Sequence, residues 1–197
     1  LLERIGTTGL ASVYRARDTA SGGLVALKVI HAYFSEEMEL LQRFHEEMAR
    51  VQRLHHPNIV NVLSLEQGED NTTTVVMEYM SWPTLKGRKN KVLPLADTIT
   101  ILRQVAEALD YAHSQGIVHR DLRPSNVFYD QEAGRVKVSD FGIIRLVEGG
   151  HALIRTTVST PSPNYASPEQ IQDQAPDPRN DVYALGVLAY ELLTGEL

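Results

Sequence analysis

Two carboxylates and one amide, at short and definite separations, constrain this sequence more than any other feature in it. The run His119-Arg120-Asp121-Leu122-Arg123-Pro124-Ser125-Asn126 carries Asp121 and Asn126, and Asp140-Phe141-Gly142 follows beyond a short hairpin. This spacing brings three oxygen-bearing groups to one point. Phosphoryl transfer needs such a set: one carboxylate to orient a hydroxyl, and an amide and a carboxylate to hold Mg²⁺ on nucleotide phosphates. The plain alternative is a stretch of surface polar residues after a helix. Further motifs, found in order along the chain, weigh against it.

Composition removes several other classes. At 197 residues with 43% hydrophobic content, the chain can bury a core as one domain or two small units. The net charge of −6 argues against a nucleic-acid surface and provides no membrane-binding patch. Without cysteine, disulfides and thiolate metal sites are excluded, and a reducing compartment is permitted. No apolar run approaches the roughly 18 residues that span a bilayer, so a cytoplasmic location is expected.

The pattern changes near residue 80. Before it, Val13–Ala16, Leu24–Ile30, the segment around Val60, Val62 and Leu63, and Val75–Met77 read as strands. One amphipathic helix over 36–54 carries Leu40, Leu41, Phe44, Met48, Val51 and Leu54 at spacings of three and four. After it, a helix over about 96–114 presents Ile99, Leu102, Val105, Leu109 and Ala112 on one face, and Gly116 stops it. A hairpin joins 126–129 to 136–138, and a last helix covers about 181–193.

The loop 119–126 and Asp140-Phe141-Gly142 resemble the catalytic and metal-binding loops of the eukaryotic-type protein kinases. Tyr14-Arg15-Ala16-Arg17-Asp18 and Ser167-Pro168-Glu169-Gln170 are similar to bacterial Ser/Thr kinases in particular. The resemblance implies an α+β, protein-kinase-like two-lobed fold. Residues 1–80 form its N-lobe, a five-stranded antiparallel sheet with one helix. Residues 81–197 form a partial, mainly helical C-lobe that lacks its last helices. It also implies ATP and Mg²⁺ as cofactors and a protein bearing Ser or Thr as substrate.

The same resemblance assigns roles. Asp121 stands as catalytic base, and Asn126 and Asp140 as metal ligands. Lys28, in Val25-Ala26-Leu27-Lys28, stands where the family grips the α- and β-phosphates. Glu47 is placed like its partner, with Glu46 as the neighbouring candidate; consecutive helical residues lie about 100° apart, so both cannot face Lys28. Ile5, Gly6, Gly9 and Val13 line the phosphate-covering strand and loop. Ala26, Met77, Glu78, Met80 and Phe128 surround adenine. Arg120 receives a phosphorylated activation-segment residue in kinases of this type, and Thr156, Thr157, Ser159 and Thr160 are the hydroxyls on offer. Asp181 caps the backbone of the catalytic loop.

Departures from the family pattern also matter. Thr8 and Ala11 replace two glycines of the phosphate loop, and their side chains limit positive φ and close approach. Arg123 replaces the usual Lys, Pro161-Ser162 the usual Gly-Thr, and Phe128 a smaller aliphatic residue. These favour an alternative from another class, a pseudokinase or nucleotide-binding scaffold; a small-molecule phosphotransferase ranks third. The sequence ends at Thr194-Gly195-Glu196-Leu197, where the family continues with more helices. A truncated chain is therefore expected, with apolar surface around residues 143–166 and the last helix open to association. Glu169, which pairs with a later arginine in the family, is then left to solvent or to Arg179.

Overall fold

The structure, a computed structural model, describes residues 1–7, 11–30, 38–68, 72–88, 92–142 and 164–197, with backbone alone for 38–40. The chain divides into two compact units. The first contains Leu1–His55 and Asn61–Met80; the second contains His56–Val60, Ser81–Gly142 and the described residues from 164 onward.

In the first unit, β1 (Glu3–Thr7), β2 (Ala11–Arg17), β3 (Leu24–Ile30), β4 (Val62–Gln67) and β5 (Thr73–Glu78) form one five-stranded sheet in the order β1-β2-β3-β5-β4. Every pairing is antiparallel. The β-branched run of β3 is central, which suits residues that pack on both faces of a pleat. Ala16, Val25 and Val76 cluster on one face with Leu27 packed against them. Helix α1 (Met38–Val51) lies against β4. Its Leu41, Phe44, Met48 and Val51 are buried at helical spacing, as is Leu54 beyond its end. Full burial of a side chain such as Phe44 is worth about 1.5–3 kcal/mol.

Two irregularities re-aim side chains. The β1–β2 register shifts between Arg4 and Gly6, and Ile5 at that bulge is exposed. The β4–β5 register shifts between Val62 and Ser64, which turns Leu63 outward. Val60, expected beside Val62 in a strand, belongs instead to the second unit. Its N–H donates to the Val138 carbonyl (2.9 Å), and the Val138 N–H donates to the Asn58 carbonyl (2.8 Å).

The second unit is built on α2 (Leu95–Ser114), packed against α4 (Pro178–Thr194) and the hairpin β6 (Val127–Asp130)–β7 (Arg135–Val138). The buried stripe of α2 contains Thr98, Ile101, Gln104, Val105, Ala108, Leu109 and Ala112. Ile99, expected on that face, is exposed. Gln104 takes the inward place because polar neighbours meet it. Its Oε1 accepts from Asn58 Nδ2 (2.8 Å) and the Val136 N–H (3.0 Å), and its Nε2 donates to the Gly134 carbonyl (2.7 Å). A buried polar group bonded on both sides costs little.

Helix α4 begins three residues earlier than its apolar pattern suggests. Asp177 caps it, accepting the Arg179 N–H, and Asn180 returns a bond to the Asp177 N–H, with Pro178 in the first turn. Its left-handed stop is Gly195, at φ 79°. Val182, Tyr183, Tyr190 and Leu193 leave an apolar strip of α4 exposed. A one-turn helix, α3 (Pro168–Ile171), carries the Ser-Pro-Glu-Gln sequence. Glu169 on it is exposed, so no buried carboxylate is stranded there. Arg179 is bonded to Asp177 through Nε (2.9 Å) and Nη2 (2.8 Å).

Candidate functional site

The first-unit candidates share one face of the sheet. Directly opposed residues in antiparallel strands point the same way, and the register opposes Val13 to Lys28, Lys28 to Val75, and Ala26 to Met77. Val13, Ala26, Lys28 and Met77 therefore lie together, opposite the Val25–Leu27 cluster. Lys28 is 6% exposed and Glu47 3% exposed, whereas Glu46 is exposed and bonded to Gln42 (3.3 Å). Burying charged groups is costly unless they are compensated, so helix α1 turns its charged pair of neighbours one inward and one outward. Glu78, at the end of β5, accepts the Asn61 side-chain N–H (3.1 Å) and donates its own N–H to the Asn61 carbonyl (2.9 Å). Met80 follows it, half-buried. Gly6 opposes Val13, and Gly9 and Thr8 lie outside the described residues. Ala11 is a fully buried residue of regular β2 opposed to Ile30, so positive φ is not required of it.

The second-unit candidates are held by a web of backbone bonds. His119 is fully buried; its Nε2 meets the Ser139 carbonyl (2.9 Å) and its Nδ1 accepts the Asp121 N–H (3.2 Å). Facing a carbonyl on one side and an N–H on the other fixes the Nε2–H tautomer. Phe141 packs against this ring, with centroids 4.5 Å apart. Asp181, 1% exposed, accepts the His119 N–H (2.8 Å) on Oδ2 and the Arg120 N–H (2.8 Å) on Oδ1. His113 Nε2 also bonds Oδ2 (2.7 Å). The carboxylate thus caps the loop, as the family likeness implied.

Asn126 Nδ2 donates to the Asp121 carbonyl (2.8 Å) and to Asp121 Oδ2 (3.1 Å). Asp121 Oδ1 is buried and has no hydrogen-bond partner among the described residues. Burial pushes the Asp121 carboxyl above its ordinary range; Arg123 and the Asn126 N–H act against that shift, and the Asp140 carboxylate adds to it. Asp140 has φ 71°, and Ser139 before it donates its N–H to the Asn126 carbonyl (2.9 Å). Phe128, half-buried on β6, opposes Lys137.

These groups fit a magnesium nucleotide. With Asn126 Nδ2 committed to Asp121, the amide oxygen Oδ1 is turned away from Asp121, and Ser125 Oγ is 3.3 Å from it. An amide oxygen and a carboxylate are hard donors of the kind Mg²⁺ takes. Among the described residues no group of three His, Cys, Asp or Glu could hold a metal unaided.

The whole sequence, residues 1–197, matches the family described as the protein kinase domain. The chain belongs to the protein kinase family. It is 38% identical over 200 residues to the serine/threonine-protein kinase Pkn1 of Myxococcus xanthus, covering 100% of this chain and 29% of that protein. It is 36% identical over 199 residues to the serine/threonine-protein kinase PrkC of Bacillus subtilis, covering 100% of this chain and 30% of that protein. The crystal structure of the Mycobacterium tuberculosis PknI kinase domain superposes with a TM-score of 0.78 at 29% identity, over 98% of this chain and 73% of that one. The chain thus has the protein kinase fold, and it spans about three tenths of the length of these curated relatives. No helix among its described residues is long and apolar enough to cross a membrane.

The segment 143–163 lies outside the described residues, and with it Thr156, Thr157, Ser159, Thr160 and Pro161-Ser162. Three polar residues that tie the site together had no role in the sequence reading: His113, Asn180 and Gln170. The pattern Ser167-x-x-Gln170 carries a capping-box signal that could have singled out Gln170.

Proposed function

We propose that this chain binds Mg-ATP and transfers the γ-phosphoryl group to a Ser or Thr hydroxyl of a protein. The observation that carries this reading is Asp121. One of its carboxylate oxygens is fixed by Asn126, and the other is buried with no hydrogen-bond partner among the described residues. A buried acceptor left open is costly, and a substrate hydroxyl satisfies it. The hydroxyl oxygen forms a bond to the γ-phosphorus as the bond to the β,γ-bridging oxygen breaks. ADP leaves, and the hydroxyl proton passes to Asp121 Oδ1.

Asn126 and Asp140 are the residues that hold Mg²⁺, which when bound neutralises charge on the phosphates. Lys28 binds the α- and β-phosphates and Glu47 pairs with it, a reading supported by the burial of both in one unit. Gly6, Gly9 and Ile5 cover the phosphates; Val13, Ala26, Met77, Glu78, Met80 and Phe128 receive the adenosine. Arg123 supplies positive charge to the γ-phosphate. A protein acceptor is supported by the naming of the relatives as serine/threonine-protein kinases.

An inert nucleotide-binding scaffold is the second reading, favoured by Thr8 and Arg123 where the family pattern has glycine and lysine. Radiolabelled ATP with a generic Ser/Thr-rich protein separates the two. Transfer by the wild type that disappears in Asp121→Asn supports the kinase reading. Magnesium-dependent nucleotide binding without transfer establishes the scaffold.

A further inference from the structure

We infer that Gln170, on the short helix α3, is a positioning residue that sets the orientation of Asp121. This rests on the kinase reading above. Arg120, immediately before Asp121, has φ 70°. That left-handed conformation costs a non-glycine residue about 1–2 kcal/mol unless its surroundings hold it. Three bonds hold it here. Asp181 takes the Arg120 N–H (2.8 Å), His119 Nδ1 takes the Asp121 N–H (3.2 Å), and Gln170 Nε2 donates to the Arg120 carbonyl (2.9 Å). The last two grip opposite ends of one rigid peptide plane, the plane from which Asp121 projects. His119 and Asp181 belong to the catalytic loop and its supporting helix. Gln170 comes from the Ser-Pro-Glu-Gln turn, beyond the segment 143–163.

Gln170 is itself aimed. Its Oε1 accepts the Ser167 N–H (3.1 Å), its own N–H donates to Ser167 Oγ (3.2 Å), and Asn180 Nδ2 fixes that hydroxyl (2.8 Å). The side-chain amide is therefore used at both ends. Its oxygen completes the capping box of α3, and its nitrogen reaches the catalytic loop. A capping box works equally well with Glu at this position. A carboxylate cannot donate to the Arg120 carbonyl, however, so the donor end explains why the residue here is Gln.

The near-isosteric Gln170→Glu separates the two roles, because it keeps the capping acceptor and removes the donor. Gln170→Met removes both. The full chain of each is compared with wild type by thermal melting, by kcat and KM for ATP, and by hydrogen exchange of the amides of residues 117–126. For Gln170→Glu we expect a melting temperature lowered by a few degrees at most, about the loss of one hydrogen bond, an unchanged KM, a kcat lower by about tenfold to a hundredfold, and faster exchange of the Asp121 amide. Gln170→Met should lose kcat to the same extent and melt lower. Wild-type kcat in Gln170→Glu overturns the inference, leaving Gln170 a cap alone. If the wild type transfers no phosphate, the kinase reading fails. The exchange of the Asp121 amide then decides the inference by itself, and equal exchange in wild type and Gln170→Glu overturns it.

Discussion

Asn126 Nδ2 lies 3.1 Å from Asp121 Oδ2, and that bond determines which oxygen of the carboxylate remains open. The same amide nitrogen holds the Asp121 carbonyl at 2.8 Å, so the Asn126 side chain cannot rotate without releasing both ends of the loop. Its oxygen accepts from Ser125 Oγ at 3.3 Å. In the proposed reading, one side chain thus orients the base with its nitrogen and offers a magnesium ligand with its oxygen.

The raised pKa of Asp121 predicts opposite effects on activity and stability. Asp121→Asn should lower phosphate transfer by about 10²–10⁴-fold, the usual contribution of a positioned general base. A carboxyl whose folded pKa lies above its unfolded value binds more protons in the folded state, so its ionisation weakens the fold as pH rises between the two values. Above both values that cost is fully present. Asp121→Asn should therefore melt higher than wild type at pH 7, with the advantage lost as pH falls from the raised folded value to the unfolded aspartate value. Paired melts at both pH values check this, and a destabilised Asp121→Asn at pH 7 contradicts it. In the wild type, the acid limb of the kcat profile should fall above the ordinary aspartate range.

Glu46 and Glu47 provide an internal comparison. Glu47 is buried and Glu46 exposed on the same helix. Glu47→Gln should reduce kcat/KM for ATP by more than tenfold, about the loss of one charge-assisted contact of 1.5–3 kcal/mol. Glu46→Gln should leave it unchanged. Equal effects from the two variants would mean that α1 does not select between them.

Asp181 carries structure more than chemistry. Asp181→Ala leaves the His119 and Arg120 N–H groups and His113 without their acceptor in a buried place. At about 1–3 kcal/mol for each of the three stranded groups, the loss should reach roughly 3–9 kcal/mol, enough to unfold part of a marginally stable domain. Denaturant unfolding measures it, and a loss under about 1 kcal/mol would show that water replaces the carboxylate.

Restoring the family glycine at position 11 should not help. Ala11 is fully buried in a regular strand, where glycine adds backbone entropy to the unfolded chain and removes a packed methyl. Ala11→Gly should cost about 1 kcal/mol of stability. Its affinity for ATP, read by titration calorimetry, should stay within about twofold of wild type, far below the tenfold that 1.4 kcal/mol represents.

Spacing within the sequence was sufficient for what is local. Asp121 and Asn126 sit on one loop because five residues span no more than a tight turn, and their hydrogen bond follows from that reach. The β-branched run of β3 and the three-and-four spacing in α1 specify their elements for the same reason: each pattern matches the repeat of the backbone that carries it. The Asp177-Pro178 start of α4 was equally legible in its capping residues, although the apolar pattern alone begins later.

Tertiary structure decided what depends on a neighbour distant in sequence. Apolar periodicity put Ile99 inward, yet Gln104 takes the buried stripe because Asn58, Gly134 and Val136 supply its hydrogen bonds from other segments. Glu46 and Glu47 differ only in the azimuth of α1, which packing against the sheet sets. Asp181 reaches His119 across 62 residues and Gln170 reaches Arg120 across 50. No local repeat encodes such bonds. They form because a buried polar group must find a partner, and the folded chain determines which partner is near.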